Sequence, residues 1–176
     1  MNISDTIVAL STPPGAAAIA VIRMSGDDAV FVAEKVFKSR YGKKLAAQST
    51  HQVLLGDFHF KNTFIDEVLL SIFKNPNSYT GEDVVEISCH GSVYVQQKIL
   101  KVLQDMGTRL AEPGEFTLRA FLNKKMDLAQ AEAVADLIAA ESAAAHHIAV
   151  QHLRGGISKS LGTLRERLLS FASLID

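Results

Sequence analysis

Apolar and polar positions along the chain divide it into short blocks. Thr6-Ile7-Val8-Ala9-Leu10 is a brief apolar run that stops at Pro13-Pro14-Gly15. Residues 17–24 form a second run, apolar except at Arg23, the pattern of a strand covered on both faces. Ser25-Gly26-Asp27 punctuates it, and Ser25 or Asp27 is placed to cap a helix running to Phe37, with Val30, Ala33, Val36 and Phe37 inward. Residues 38–49 are polar and irregular, a loop in which Lys38, Arg40, Lys43 and Lys44 cluster. Residues 52–60 and 64–73 predict a hairpin joined by Lys61-Asn62-Thr63. Asn75-Pro76-Asn77-Ser78 breaks the chain. Residues 83–89 alternate, with Val85, Ile87 and Cys89 on one face and Val84, Glu86 and Ser88 on the other. Gly91 leads into a helix to Met106 with a stripe of Val95, Ile99, Val102 and Leu103, closed by Gly107 at the favoured C′ position. Residues 108–111 are a short strand, and Pro113-Gly114 a turn.

After Glu115 the pattern turns helical. A short helix over 116–123 precedes Lys124-Lys125. Ten alanines fall between Ala129 and Ala149, and no proline follows Pro113, so helix is favoured throughout. Asp127 followed by Gln130 resembles a capping box. Arg154-Gly155-Gly156 marks a break. Beyond it, Ile157, Leu161, Leu164, Leu168, Phe171 and Ile175 recur at steps of four and three, a heptad-like seam. This helix meets no stop signal before Asp176, which implies a fragment of a longer chain or an end completed by a partner. The fold class is α+β: a mixed α/β domain over 1–116, then the start of a helical domain over 117–176.

Composition narrows the function classes. The 176 residues are 48% hydrophobic and 21% charged, an ordinary globular balance large enough to bury a core. A net charge of −1 argues against a free-standing nucleic-acid binder but leaves room for a local basic patch. The single cysteine, Cys89, excludes an internal disulfide framework and a cysteine-rich zinc site. Low cysteine use without a signal peptide suggests the cytoplasm. The longest apolar run, residues 16–22, is far short of the ~20 residues that span a membrane.

No phosphate-cradling Gly-x4-Gly-Lys-Ser/Thr or dinucleotide Gly-x-Gly-x-x-Gly pattern occurs. The chain by itself is therefore expected not to hydrolyse GTP. Three positions remain ambiguous. Glu86 is either a solvated glutamate on an open sheet face or a pocket carboxylate able to accept a pair of N–H donors. Arg23 is either a strand-end arginine reaching solvent or an anchor for a carboxylate or phosphate. Lys124 and Lys125 are either a surface pair or a ligand contact. Cys89-His90 invites a nucleophile-and-base reading, but adjacent strand residues face opposite ways. His146, His147 and His152 lack the i, i+4 spacing of a helical metal site.

Taken in order, the segments Asp5-Thr6-Ile7-Val8-Ala9, Thr12-Pro13-Pro14-Gly15, Val21-Ile22-Arg23-Met24-Ser25-Gly26, Tyr79-Thr80-Gly81-Glu82-Asp83-Val84-Val85-Glu86, Cys89-His90-Gly91, Pro113-Gly114-Glu115-Phe116-Thr117, Arg119-Ala120-Phe121-Leu122-Asn123 and Lys125-Met126-Asp127-Leu128-Ala129-Gln130-Ala131-Glu132-Ala133-Val134 resemble the N-terminal part of the tRNA-modification GTPase family known as MnmE or TrmE. The resemblance runs from Asp5 to about Ile175. It implies a domain like the tetrahydrofolate-binding domain of glycine-cleavage-type enzymes, forming a homodimer, followed by the first helices of a helical domain. It also implies an FAD-containing partner (the MnmG or GidA type) and modification of the wobble uridine of tRNA with a folate-borne one-carbon unit. GTP, magnesium and potassium ions would enter only through a GTPase domain this chain lacks. No membrane is implied.

Carried over residue by residue, the family's folate contacts fall on Arg23, Glu86 and Lys125. The resemblance implies Glu86 for the amino-pyrimidinone edge of a 5-formyl or 5,10-methylene tetrahydrofolate, and the two cations for its carbonyl or glutamate tail. Where members often carry Pro-Pro-Gly-Arg-Gly, this chain has Ala16-Ala17 after Gly15, and Ser92 replaces a second glycine after Gly91. Two function classes follow: a folate-binding dimerisation module of a tRNA-modifying GTPase, or a purely structural dimerisation and partner-docking domain.

Overall fold

The computed structural model describes residues 5–172, without the side chains of 157–160 and 172. The seam position Ile175 and the side chain of Ile157 therefore lie outside the described residues. The chain divides into two compact units, one ending at Arg119 and one starting at Ala120.

The first unit is a seven-stranded sheet in the order β3-β4-β5-β6-β2-β1-β7, with helices α1 and α2 packed on it. Its strands are β1 (Ile7–Leu10), β2 (Ile19–Ser25), β3 (Phe37–Ser39), β4 (Gln52–Phe60), β5 (Thr63–Phe73), β6 (Val84–His90) and β7 (Arg109–Leu110). The helices are α1 (Ala29–Val36) and α2 (Val93–Asp105). Only the β1–β7 pair is parallel. One face is packed: Ala20, Ile22 and Met24, Leu70 and Ile72, and Val85, Ile87 and Cys89 join Val30, Ala33, Val36, Ile99, Val102 and Leu103 in one core.

Four sequence expectations are corrected here. Residues 17–24 predicted a strand covered on both faces, but in β2 the alternate positions Ile19, Val21 and Arg23 stay at least partly open. The strand also continues to Ser25, so Arg23 lies inside it rather than at its end. The cap of α1 is Asp28, not Ser25 or Asp27, and its own side chain caps nothing. Instead Thr6 Oγ1 accepts from the Asp28 N–H at 3.1 Å, a partner 22 residues away that local pattern does not reveal. Lys38 sits in β3 rather than a loop, because Phe37, Lys38 and Ser39 pair with Phe58, Asp57 and Gly56.

The hairpin forms where the sequence predicts it, but its connection is Lys61-Asn62 alone, because Thr63 of β5 already pairs with Phe60. Lys61 and Asn62 both take positive φ, 48° and 63°, the geometry of a two-residue type I′ turn. Helix α2 ends at Met106 in a Schellman motif, with Gly107 N–H bonding to Gln104 O and Thr108 N–H to Leu103 O. Gly91 follows β6 where a Cβ would stand 2.2 Å from the Ala17 carbonyl oxygen. Gln96, buried in α2, fixes that crossing by donating to Gly15 O and Gly91 O at 2.9 and 3.0 Å.

Helix α3 (Glu115–Leu122) ends the first unit and opens the second. The alanine-rich stretch is two helices, α4 (Leu128–Ala139) and α5 (Ala143–Leu153), because Ala140 turns extended and Ser142 caps α5 through Ala145 N–H. The capping box of Asp127 and Gln130 is present with both hydrogen bonds, 2.9 and 3.0 Å. Gly155, at φ 79°, separates α5 from α6 (Gly156–Ala172). On α6 the seam residues Leu161, Leu164, Leu168 and Phe171 are exposed. No helix among the described residues is long and apolar enough to cross a membrane.

Candidate functional site

The open face of the sheet gathers polar chemistry at its centre. The register sets Arg23 of β2 directly opposite Glu86 of β6, and Glu86 opposite Ser71 of β5. Arg23 Nε donates to Glu86 Oε1 at 2.8 Å, and Nη2 stands 2.7 Å from the same oxygen. Both side chains are about a quarter exposed, 26% and 25%. Glu86 thus receives the arginine on one oxygen and keeps Oε2 for another donor. Arg23 Nη1 is likewise not spent on Glu86.

Two rings hold the guanidinium. Its central carbon lies 5.3 Å from the Tyr79 ring centroid and 5.6 Å from that of Phe116, within cation–π range. Tyr79 belongs to the turn after Pro76, and Phe116 to the first turn of α3. The Tyr79 hydroxyl and Thr117 Oγ1 join the two at 2.9 Å. The next rows of the same face form a depression of about 270 Å³, lined by Ile19, Leu55, Leu69, Ser88 and His90 among others. Apolar floor and charged pair are thus side by side.

Beneath these turns lies a charge cluster that the sequence reading did not assign. Arg119, only 2% exposed, donates from Nη2 to Asp5 Oδ1 at 2.6 Å and to Glu115 Oε1 at 3.2 Å. Its Nη1 reaches the Asp5 carbonyl at 2.7 Å and both Glu82 oxygens at 3.3 Å. Arg109 adds bonds to Asp5 and Glu115, each 2.6 Å at its shortest. Arg109, chiefly, holds the Asp5 and Glu115 carboxyls below their ordinary range, with Arg119 contributing and burial opposing. Burial alone would lower the Arg119 pKa, but Glu82, Asp5 and Glu115 raise it instead. Glu82 also accepts from Ser25 Oγ at 2.6 Å, tying the turn that carries Tyr79 to the end of β2. The motifs around Tyr79 and Glu115 are thereby one structural unit, although 38 residues separate Tyr79 from Thr117. The resemblance motifs contain Asp5, Glu82, Glu115 and Arg119 but not Arg109, and only the Glu115–Arg119 pair, at i and i+4, is visible as a local spacing.

Lys125 belongs to the second unit. It is exposed, its N–H bonds to Ala120 O at 2.8 Å, and it lines a hollow of about 560 Å³ with Phe121, Leu122, Lys124, Met126, Asp127 and Gln130. Lys124 beside it takes φ 58°, the left-handed turn that ends α3. Cross-strand pairing therefore joins Arg23 to Glu86, while Lys125 is placed by the turn after α3.

The Cys89–His90 pair does not form a nucleophile and base. The Cys89 thiol is buried against the Ala20 carbonyl, whereas His90 points outward and pairs with Asp66 at 2.7 Å. Burial, reinforced by the Asp66 carboxylate, pushes the thiol up to about 11. His146 and His147 are exposed and His152 is half-buried. No cluster of three metal-ligating side chains occurs among the described residues.

Comparison with known proteins bears on what this arrangement serves. Residues 6–125 match the family model described as GTP-binding protein TrmE N-terminus, and residues 128–176 match the MnmE helical domain. Among similar proteins, the tRNA modification GTPase MnmE of Flavobacterium johnsoniae is 59% identical over 172 residues, 98% of this chain. That of Christiangramia forsetii is 57% identical over all 176 residues, and that of Bacteroides thetaiotaomicron 50% over 173. The chain spans 37% of the length of each of these relatives. A family model covering residues 6–125 and identities above half across nearly every position show that this chain belongs to the TrmE/MnmE family, carrying sequence of its N-terminal and helical domains.

Proposed function

We propose that this chain is the N-terminal module of a GTPase that, with an FAD-containing partner, modifies the wobble uridine of tRNA. In that role it binds a reduced folate carrying the one-carbon unit and forms a homodimer. The relatives' name, tRNA modification GTPase, supports the RNA and GTP parts of this reading. The single observation that supports the folate part is the Arg23–Glu86 pair on the open sheet face.

The residues present fit the ligand. A reduced pterin offers an amino group and a ring N–H beside a carbonyl. Glu86 Oε2 is an acceptor for the donors, and Arg23 Nη1 a donor for the carbonyl, with the rings of Tyr79 and Phe116 holding Arg23 in place. The ligand, when bound, would supply the one-carbon unit; the protein's part is to orient it. Lys125 is a further contact by family resemblance. GTP chemistry would belong to sequence outside this chain.

Calorimetric titration of 5-formyl or 5,10-methylene tetrahydrofolate tests this. Charge-assisted bonds are worth on the order of 1.5–3 kcal/mol each, so Glu86→Ala should weaken binding roughly tenfold to a hundredfold or more. Glu86→Gln turns one acceptor into a donor and should bind poorly too. Lys125→Ala should lose less if it meets a solvated tail, since exposed ion pairs are worth under about 1 kcal/mol. A second reading, a structural dimerisation and docking domain, draws on the mutual pairing of Arg23 with Glu86, which also suits a cross-strand ion pair. Glu86→Ala binding folate like the parent, or a parent that binds none, would decide for it.

A further inference from the structure

The sequence between Phe31 and Lys44 takes no part in the site described above. It runs from α1 through β3, at one edge of the sheet, into the following loop. Residues 34–44 hold five cations, Lys35, Lys38, Arg40, Lys43 and Lys44, and one acid, Glu34. That is a net of +4 in a chain whose total is −1. The segment itself is therefore basic, although the register also sets Asp57 of β4 opposite Lys38.

The structure shows which of these charges remain available. Arg40 is engaged by Glu67 and, more distantly, by Asp57. Lys35 lies over the Phe31 ring at 4.0 Å. Lys38, Lys43 and Lys44 are exposed and make no ion pair among the described residues. The loop is pinned as well: Leu45 is buried in the core, Lys74 Nζ donates to Ala46 O at 2.8 Å, and Gln48 Nε2 to Lys44 O at 2.8 Å. Lys43 and Lys44 are thus presented from a loop anchored by the next residue. Interleaved with the cations stand two exposed aromatic rings, Phe31 and Tyr41, at 58% and 73%.

We infer that this basic and aromatic edge is an RNA-contacting surface, on which Lys38, Lys43 and Lys44 meet backbone phosphates and Tyr41 stacks on an unpaired base. The inference rests on the tRNA-modifying reading above and names a surface for the substrate. Lysines alone would suit any polyanion. Exposed rings among them favour a nucleic acid with splayed bases, because every base offers a π-face and an acidic peptide does not.

The test is binding of an unmodified tRNA transcript to the full chain, followed by fluorescence anisotropy across a salt series. Each phosphate contact contributes about 0.7–0.9 to the slope of log K against log salt. Replacing Lys38, Lys43 and Lys44 together by alanine should make that slope shallower by about 2 and weaken binding at least tenfold. Tyr41→Ala should weaken binding roughly fivefold to a hundredfold and leave the slope unchanged, which a general loss of structure would not do. Both changes are on exposed side chains, and circular dichroism checks the fold. A parent that binds no tRNA, or a triple-lysine variant with the parent's affinity and slope, overturns the inference. So does polyglutamate binding as tightly as tRNA with Tyr41→Ala without effect, since the surface would then take an acidic protein. The folate titration of the same triple variant reports separately on the Arg23–Glu86 site, so failure of one reading is distinguishable from failure of the other.

Discussion

Glu86 and Cys89 stand three positions apart on β6, and that odd spacing gives them opposite surroundings. Glu86 faces the open side and keeps one oxygen for a donor; Cys89 faces the core. The thiolate is the reactive form of cysteine, and burial raises the Cys89 thiol to about 11, so very little thiolate exists at neutral pH. A thiol-reactive dye should label the folded chain slowly at about pH 8 and the urea-unfolded chain at once. Equal rates in the two states would refute the buried, inert assignment. Alternation alone made this legible, since Val85, Ile87 and Cys89 could be separated from Val84, Glu86 and Ser88 by period two. The partner of Glu86 was not legible. Arg23 lies 63 residues away, and only the β2–β6 register brings the two together. Tyr79 and Phe116 were hidden for the same reason, because ring contacts on Arg23 depend on two turns meeting across the sheet.

At the scale of elements, α3 is held less by apolar burial than by charge. Its Glu115 and Arg119, at i and i+4, meet Asp5 before β1, Arg109 at the start of β7 and Glu82 from the turn before β6. Removing one member of a buried set leaves the others uncompensated, a loss on the order of 3–5 kcal/mol. Arg119→Leu should therefore lower the urea midpoint far more than a surface substitution would. The pH dependence has a defined sign. Asp5 and Glu115 are held below their ordinary values of 3.8 and 4.5, so their contribution is fully present above those values. It is lost as the pH falls through their lower folded values, where the unfolded chain binds protons more readily. Asp5→Asn should start from a lower midpoint at neutral pH and then fall less on acidification than the parent. Parallel acid limbs for the two proteins would remove the cluster as the source. Element existence was largely readable, from the hairpin to the capping box of α4. Element ends were read less well where a distant group decides them. Thr6, just before β1, accepts the Asp28 N–H at the start of α1, and Ala140 splits a stretch whose alanine content alone favours one helix.

For the whole molecule, the sheet has one covered face and one that carries apolar side chains into the open. Ile19, Val53 and Leu69 lie on that second face, outside the Arg23–Glu86 row or at its end, and all three are exposed. A single exposed aliphatic side chain is unremarkable, but several on one sheet face call for a covering surface. The proposed homodimer supplies one: a second copy presenting its own face, so that like residues pack about a two-fold axis. Sedimentation at micromolar concentration should then give twice the chain mass. Leu69→Asp places a charge where the aliphatic face would be desolvated, and should shift the boundary toward the monomer without altering the circular dichroism spectrum. Leu164→Asp serves as the comparison, because it alters the exposed seam of α6 in the other unit and should leave the dimer intact. A monomeric parent would remove the dimer altogether. A Leu69→Asp variant that sediments like the parent, or a Leu164→Asp variant that alone dissociates, would move the interface from the sheet to the helices.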